Sequence, residues 1–238
     1  MCKGKIEFTA NQHALLFSWI AKEVIDRFGE KGKNAVGRGV VEYGRQRGKR
    51  MALRVKKDGK HIDISNYIAY GEWQARPGDM DTRLFIHGDD LNMQIHKCPW
   101  FEEWKKHDLL EYGRIYCQYI DEAIVEGYNS QMKLDVLQNR SAGADYCDFW
   151  FRKAGMTEED FEKINKTKSK LGGKAIMPWD YHIAHLYKAL EDVIIQELGE
   201  RAKDAIKAAL DMFAKNYGQE SADIILSLKD TDFNILPK

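Results

Sequence analysis

Apolar residues recur every three to four positions over residues 11–28. Leu16, Trp19, Ile20, Val24 and Phe28 fall on one side, so the spacing predicts a helix that Gly29 stops. A second helix is expected over 33–50, with Val36, Val40, Val41 and Tyr43 apolar. Its glycines at 37, 39, 44 and 48 each cost about 1 kcal/mol in a helix interior. They point to close contact with another backbone. The period then shortens to two. Thr82–His87 and Leu91–His96 read as strands around the turn Gly88-Asp-Asp90. In the second strand Leu91, Met93 and Ile95 point one way, and Asn92, Gln94, His96 and Cys98 the other. Pro99 opens a helical stretch to about Glu126 that breaks near His107–Asp108. Met132–Gln138 and Tyr146–Phe151 read as two more strands, with Cys147, Phe149 and Phe151 on one face. Residues 153–177 are polar and are expected to form a surface connection. Helical periodicity returns at Trp179–Glu197, Glu200–Asn216 and Ala222–Leu228. The class is α+β, a helix packed on an antiparallel sheet and flanked by N- and C-terminal helical hairpins. The expected division is a helical arm over 1–55, an α+β core over 56–152, and a linker with a C-terminal arm over 153–238, as parts of one compact unit.

The two arms resemble each other at an offset of 170 residues. Ile25, Gly29, Glu30, Lys33, Ala35, Tyr43 and Gly48 lie over Ile195, Gly199, Glu200, Lys203, Ala205, Phe213 and Gly218. A duplicated helical hairpin accounts for this, the two copies packing together or building a homo-oligomer interface. Shared helix-stop chemistry in two unrelated hairpins is the plainer alternative.

Composition narrows the function classes. Thirty-seven basic residues balance 37 acidic ones, so the chain lacks the basic field of a dedicated nucleic-acid binder. No apolar run approaches the ~18 residues of a membrane span, and the first residues hold no apolar stretch of signal-peptide type. A cytoplasmic protein with no membrane or nucleic-acid partner is expected. P-loop, GxGxxG, HExxH and GxSxG patterns are absent, which removes support for a nucleotide cofactor. The four cysteines, at 2, 98, 117 and 147, form no CxxC and are expected to be thiols.

Candidate chemistry concentrates between Cys98 and Phe151. Cys117 and Asp121 are four apart on one helix and therefore neighbours. His182 and His185 share a helix face. Each candidate also has a packing explanation: Cys147 lies with Phe149 and Phe151, and Cys117 with Ile120 and Ile124. Trp73, Trp100, Trp104, Trp150 and Trp179 are core-sized residues that, several together, would suit a flat cyclic ligand. His13, His61, His87 and His107 are expected at the surface.

Several segments resemble the L-2-amino-thiazoline-4-carboxylic acid hydrolase family. They are Cys98-Pro99, then Glu111-Tyr-Gly113 through Tyr116-Cys117 and Ile120-Asp-Glu-Ala123 to Gly127-Tyr-Asn129, then Gly143-Ala-Asp-Tyr-Cys147-Asp-Phe149. Gly29-Glu-Lys31, Tyr43-Gly44, Arg47-Gly48 and Arg50-Met51 are similar to its leading helices, and His182-Ile-Ala-His185-Leu-Tyr187 to its C-terminal part. The middle segment is also distantly similar to the 4-vinyl-reductase-type ligand-binding domain, which often carries a zinc site. Cys117 and Cys147 match two of those ligands, and Val136 and Asn139 stand where a Glu and a Cys would fall. The first resemblance implies water opening a small cyclic amidine at a C–N or C–S bond. Two recipes stay open: attack by a thiolate, or water activated by zinc or another divalent metal on Cys98, Cys117, Cys147 and His96. Cys117, Asp121, Cys147, Cys98 and His96 are the catalytic candidates. His182, His185, Trp179 and Arg114 are the substrate-binding ones, with Arg152 a second choice for the substrate carboxylate. No cofactor is required by the sequence. A non-catalytic small-molecule sensor and a metal-dependent lyase are the competing functions.

Overall fold

The computed structural model describes residues 6–237, and Cys2 lies outside them. Helix α1 spans Ala10–Lys57 and is broken at Gly29, whose φ of 59° only glycine adopts at ease. Thr9 caps it: its hydroxyl accepts from the Asn11 amide, and Gln12 reaches back to the Thr9 amide. Short helix α2 (Ile64–Ala69) follows, then strands β1 (Asp81–His87) and β2 (Asp90–Lys97), helices α3 (Pro99–Lys106) and α4 (Leu110–Tyr128), and strands β3 (Lys133–Gln138) and β4 (Cys147–Arg152). The remaining helices are α5 (Glu158–Leu171), α6 (Trp179–Leu198), α7 (Lys203–Tyr217) and α8 (Gln219–Leu228).

The glycines of α1 do what their cost implies. A Cβ on Gly48 would collide with the Ile124 carbonyl of α4, and one on Gly127 with the Arg45 backbone. The second half of α1 therefore lies backbone to backbone on α4. The arms pack on one another crosswise. Trp19, in the first half of α1, meets Phe213 and Tyr217 of α7, whereas Gly39 and Arg38, in its second half, meet Leu190 and Glu197 of α6. The start of α1 also meets the start of α6, through His13 and Trp179. Gly29 and Gly199, matched by the offset, both sit at positive φ.

The sheet has the order β1-β2-β4-β3, all antiparallel. Its register sets Met93 opposite Phe149 and Ile95 opposite Cys147 on the inner face, and Asn92 opposite Trp150 and Gln94 opposite Asp148 on the outer. The polar run 153–177 departs from expectation. It contains α5, closed at its start by a capping box between Thr157 and Asp160 and at its end by left-handed Gly172. Ile164 is its one buried residue, so an amphipathic stripe was nearly invisible. Among the described residues no helix is long and apolar enough to cross a membrane.

Candidate active site

The inner face of the sheet and helices α1, α2 and α4 border a partly open hollow of about 400 Å³. Leu84, Met93, Ile95, Leu134, Phe149 and Phe151 supply the sheet side. The opposite side is charged: Arg47 from α1, Glu72 from the turn after α2, and Asp121 from α4. Trp73 and Lys168 close the rim.

Glu72 is fully buried and meets three guanidinium groups. Arg50 binds it through both oxygens (Nε 3.0 Å, Nη2 2.7 Å), and Arg54 Nη1 donates to Oε1 at 3.2 Å. Arg47 stops short, with its Nε 3.9 Å from Oε2 and without a hydrogen-bond partner. Its guanidinium lies over the Tyr43 ring instead, 5.6 Å from the centroid. Three cations against one carboxylate leave an excess of positive charge on this wall. The neighbouring imidazoles do not cancel or add to it: burial first, then neighbouring histidines and arginines, push His13, His182 and His185 well below the ordinary histidine range.

The same imidazoles are fixed as single tautomers. Trp100 donates to His13 Nδ1 at 3.0 Å, so His13 Nε2 donates to the Tyr43 hydroxyl at 2.9 Å. Arg50 donates to His185 Nδ1, leaving His185 Nε2 to donate to Gln46 at 2.7 Å. His182 Nε2 donates to the Glu72 carbonyl at 2.9 Å, and its buried Nδ1 has no partner. Around this group Trp73, Trp100 and Trp179 form a triangle with centroids 5.0, 5.7 and 6.1 Å apart.

Asp121 belongs to the same charged side, within reach of the Arg47 charge. It is half-buried, and no group among the described residues donates a hydrogen bond to it. Burial pushes its carboxyl up to about 7, Glu122 adding to the rise and Arg47 opposing it. Cys98, Cys117 and Cys147 gather behind it, each feeling its charge. All three thiols are pushed up, chiefly by burial: Cys98 to about 11, Cys147 to about 12, and Cys117 well above the ordinary thiol range. They are held protonated at neutral pH, so the conditions for a reactive thiolate are not met. Cys117 opens instead onto a separate surface hollow of about 370 Å³ shared with Arg114.

Folding thus unites Asp121 with the three cysteines, and it sets His182, His185 and Trp179 together behind Trp73. It does not bring His96 to them. His96 lies on the outer sheet face, stacked on Tyr146 at 4.9 Å and bonded to Gln94. The strand alternation that joined it to Cys98 ends at Lys97, and Cys98 is already the cap of α3. Arg114 is exposed and donates to the Ser141 carbonyl, and Arg152 pairs with Asp90 and Asp135, so neither reaches the hollow. Cys98, Cys117, Cys147 and His96 make no metal cage: among the described residues no three His, Cys, Asp or Glu side chains are arranged to hold an ion. Arg47 and Glu72 were not among the site candidates of the sequence, and His13 was expected at the surface. An arginine one turn beyond Tyr43, on the stripe of Val36, Val40 and Tyr43, was the available signal for Arg47. His13 is fully buried rather than exposed, on the stripe of Leu16, Phe17 and Ile20.

An acid without donors and an incompletely paired guanidinium thus line one partly open hollow whose sheet side is apolar. Residues 9–151 match the model of the L-2-amino-thiazoline-4-carboxylic acid hydrolase family. That is more than half of the chain and includes Arg47, Glu72 and Asp121; the chain belongs to this hydrolase family. No curated protein and no solved structure matches it, and no match supports the likeness to the 4-vinyl-reductase-type domain.

Proposed function

We propose that the protein hydrolyses a small cyclic amidine that carries a carboxylate, with Asp121 as general base and Arg47 as the carboxylate-binding residue. The single observation that carries this reading is the pair itself: one under-partnered guanidinium and one undonated acid, lining the same hollow. The substrate carboxylate meets Arg47, where the surplus positive charge favours an anion. The amidinium end then lies toward Asp121. Ionised Asp121 takes a proton from water as the water oxygen bonds to the amidine carbon. The resulting Asp121 carboxylic acid returns that proton to the ring sulfur or nitrogen as its bond to carbon breaks. One water is consumed and the ring opens to a carbamoyl product. A carboxyl tuned to about 7 suits this work, because a base is most effective with a pKa near the working pH.

The thiols have a supporting part in this reading: they keep water from the rear of Asp121 and so hold its pKa up. Trp179 and His182 back the Trp73 wall. Incubation with 2-amino-thiazoline-4-carboxylate, with release of the open-chain product followed by mass spectrometry, tests the proposal. Asp121→Asn is expected to lower kcat by about 10²–10⁴-fold. Arg47→Met is expected to raise KM by about 10–100-fold with a smaller change in kcat, the loss of one charge-assisted contact. Wild-type rates in both variants contradict the assignment.

A further inference from the structure

The hollow does not end at Trp73. A second chamber of about 340 Å³ adjoins it, and Ile68, Gly71, Trp73 and Lys168 are walls of both. The namesake substrate of the family has nine heavy atoms, whereas cavities of ~300–1,000 Å³ are those that enclose drug-sized molecules. Ala69, Leu171, Ala175 and Ile176 give the second chamber an apolar part, and Gln74 and Lys168 are among its polar walls. Lys168 stands on α5, at the junction of the two chambers, and forms no ion pair among the described residues. Partial desolvation pushes its ammonium below the ordinary lysine range, so a cation is held there without a protein anion to match.

Resting on the hydrolase reading above, we propose that this second chamber is a substrate subsite, and that the preferred substrates are cyclic amidine acids carrying an aliphatic chain with an anionic end. The ring and its carboxylate occupy the first chamber between Asp121 and Arg47. The chain lies past Trp73 along the apolar part of the second chamber, and its terminal anion is met by Lys168, which lines that chamber as well as the first.

Three synthetic ligands test this: 2-amino-thiazoline-4-carboxylate itself, the same ring with a five-carbon alkyl chain on the exocyclic nitrogen, and that chain ended by a carboxylate. Calorimetric affinity and kcat/KM are measured for each. The acid-ended ligand is expected to bind wild-type protein about tenfold more tightly than the methyl-ended one. In Lys168→Met that ratio is expected to fall to near one. In Leu171→Trp, which fills the second chamber, the advantage of either chain over the bare ring is expected to vanish. Lys168→Met is an exposed change and keeps the test valid should Leu171→Trp fold poorly. Equal affinity for the two chain-bearing ligands, or best binding by the bare ring, overturns the subsite. Turnover of none of the three, with the affinity difference intact, removes the hydrolase reading and leaves the subsite standing.

Discussion

Glu72 and Asp121 line the same hollow and are treated in opposite ways. Glu72 receives three hydrogen bonds from two arginines, stands 3.9 Å from a third, and its carbonyl takes up His182 and the Met177 amide as well. Those bonds join α1, the turn after α2, and α6, so its carboxylate is a joint of the fold. Asp121 receives none. Burial without donors is what lifts its carboxyl, and an acid so placed is free to exchange a proton. Two carboxylates on one hollow thus differ in partners: the fully buried one, saturated, holds the wall in place, and the half-buried, unsaturated one is the proposed base.

Substitutions at the two sites are therefore expected to move stability in opposite directions. Glu72→Gln leaves three buried guanidinium groups without their counter-charge, and a loss of about 3–5 kcal/mol is expected in urea or thermal unfolding. A loss below about 1 kcal/mol would mean the cluster is wetter than its burial indicates. Asp121→Asn should instead stabilise the protein at alkaline pH. The unfolded chain ionises Asp121 near its ordinary ~4, and the folded one near about 7. Stability from this group is thus present in full at low pH, declines between those values, and is lost above about 7. At pH 8 the asparagine variant is expected to gain about 1–3 kcal/mol while losing activity, and at pH 4 almost nothing. An equal gain at both pH values would show that packing, not ionisation, is responsible. The smallest effect is expected at the sulfurs. Cys98→Ser, Cys117→Ser and Cys147→Ser should each change kcat by less than about threefold, because the thiols stay protonated. A loss of ~10²-fold or more in one of them would return the catalytic role to that cysteine.

Much of the frame was readable because it follows from periodicity. The alternation over Leu91–Ile95 is the inner-face register, and the glycines at 44 and 48 announced the close approach to α4. Helix α5 was missed since Glu158–Leu171 buries a single side chain. The site divided along similar lines. Asp121 stood out as an acid one turn from Cys117 on a helix with an apolar face. Arg47 and Glu72 did not, because each is an ordinary surface residue until the fold sets the α1 arginines around a loop carboxylate 18 to 25 residues away. His96 misled for a local reason: Pro99 starts a helix, and the chain leaves the strand plane before Cys98.

The dependence of kcat/KM on pH, for wild-type protein and Asp121→Asn with an amidine acid as substrate, goes most directly to the role of Asp121. Wild-type activity is expected to climb with pH through a single ionisation near 7, and the asparagine variant to retain only a low rate without that limb. A limb unchanged by the substitution, or turnover by the variant at the wild-type rate, would contradict it.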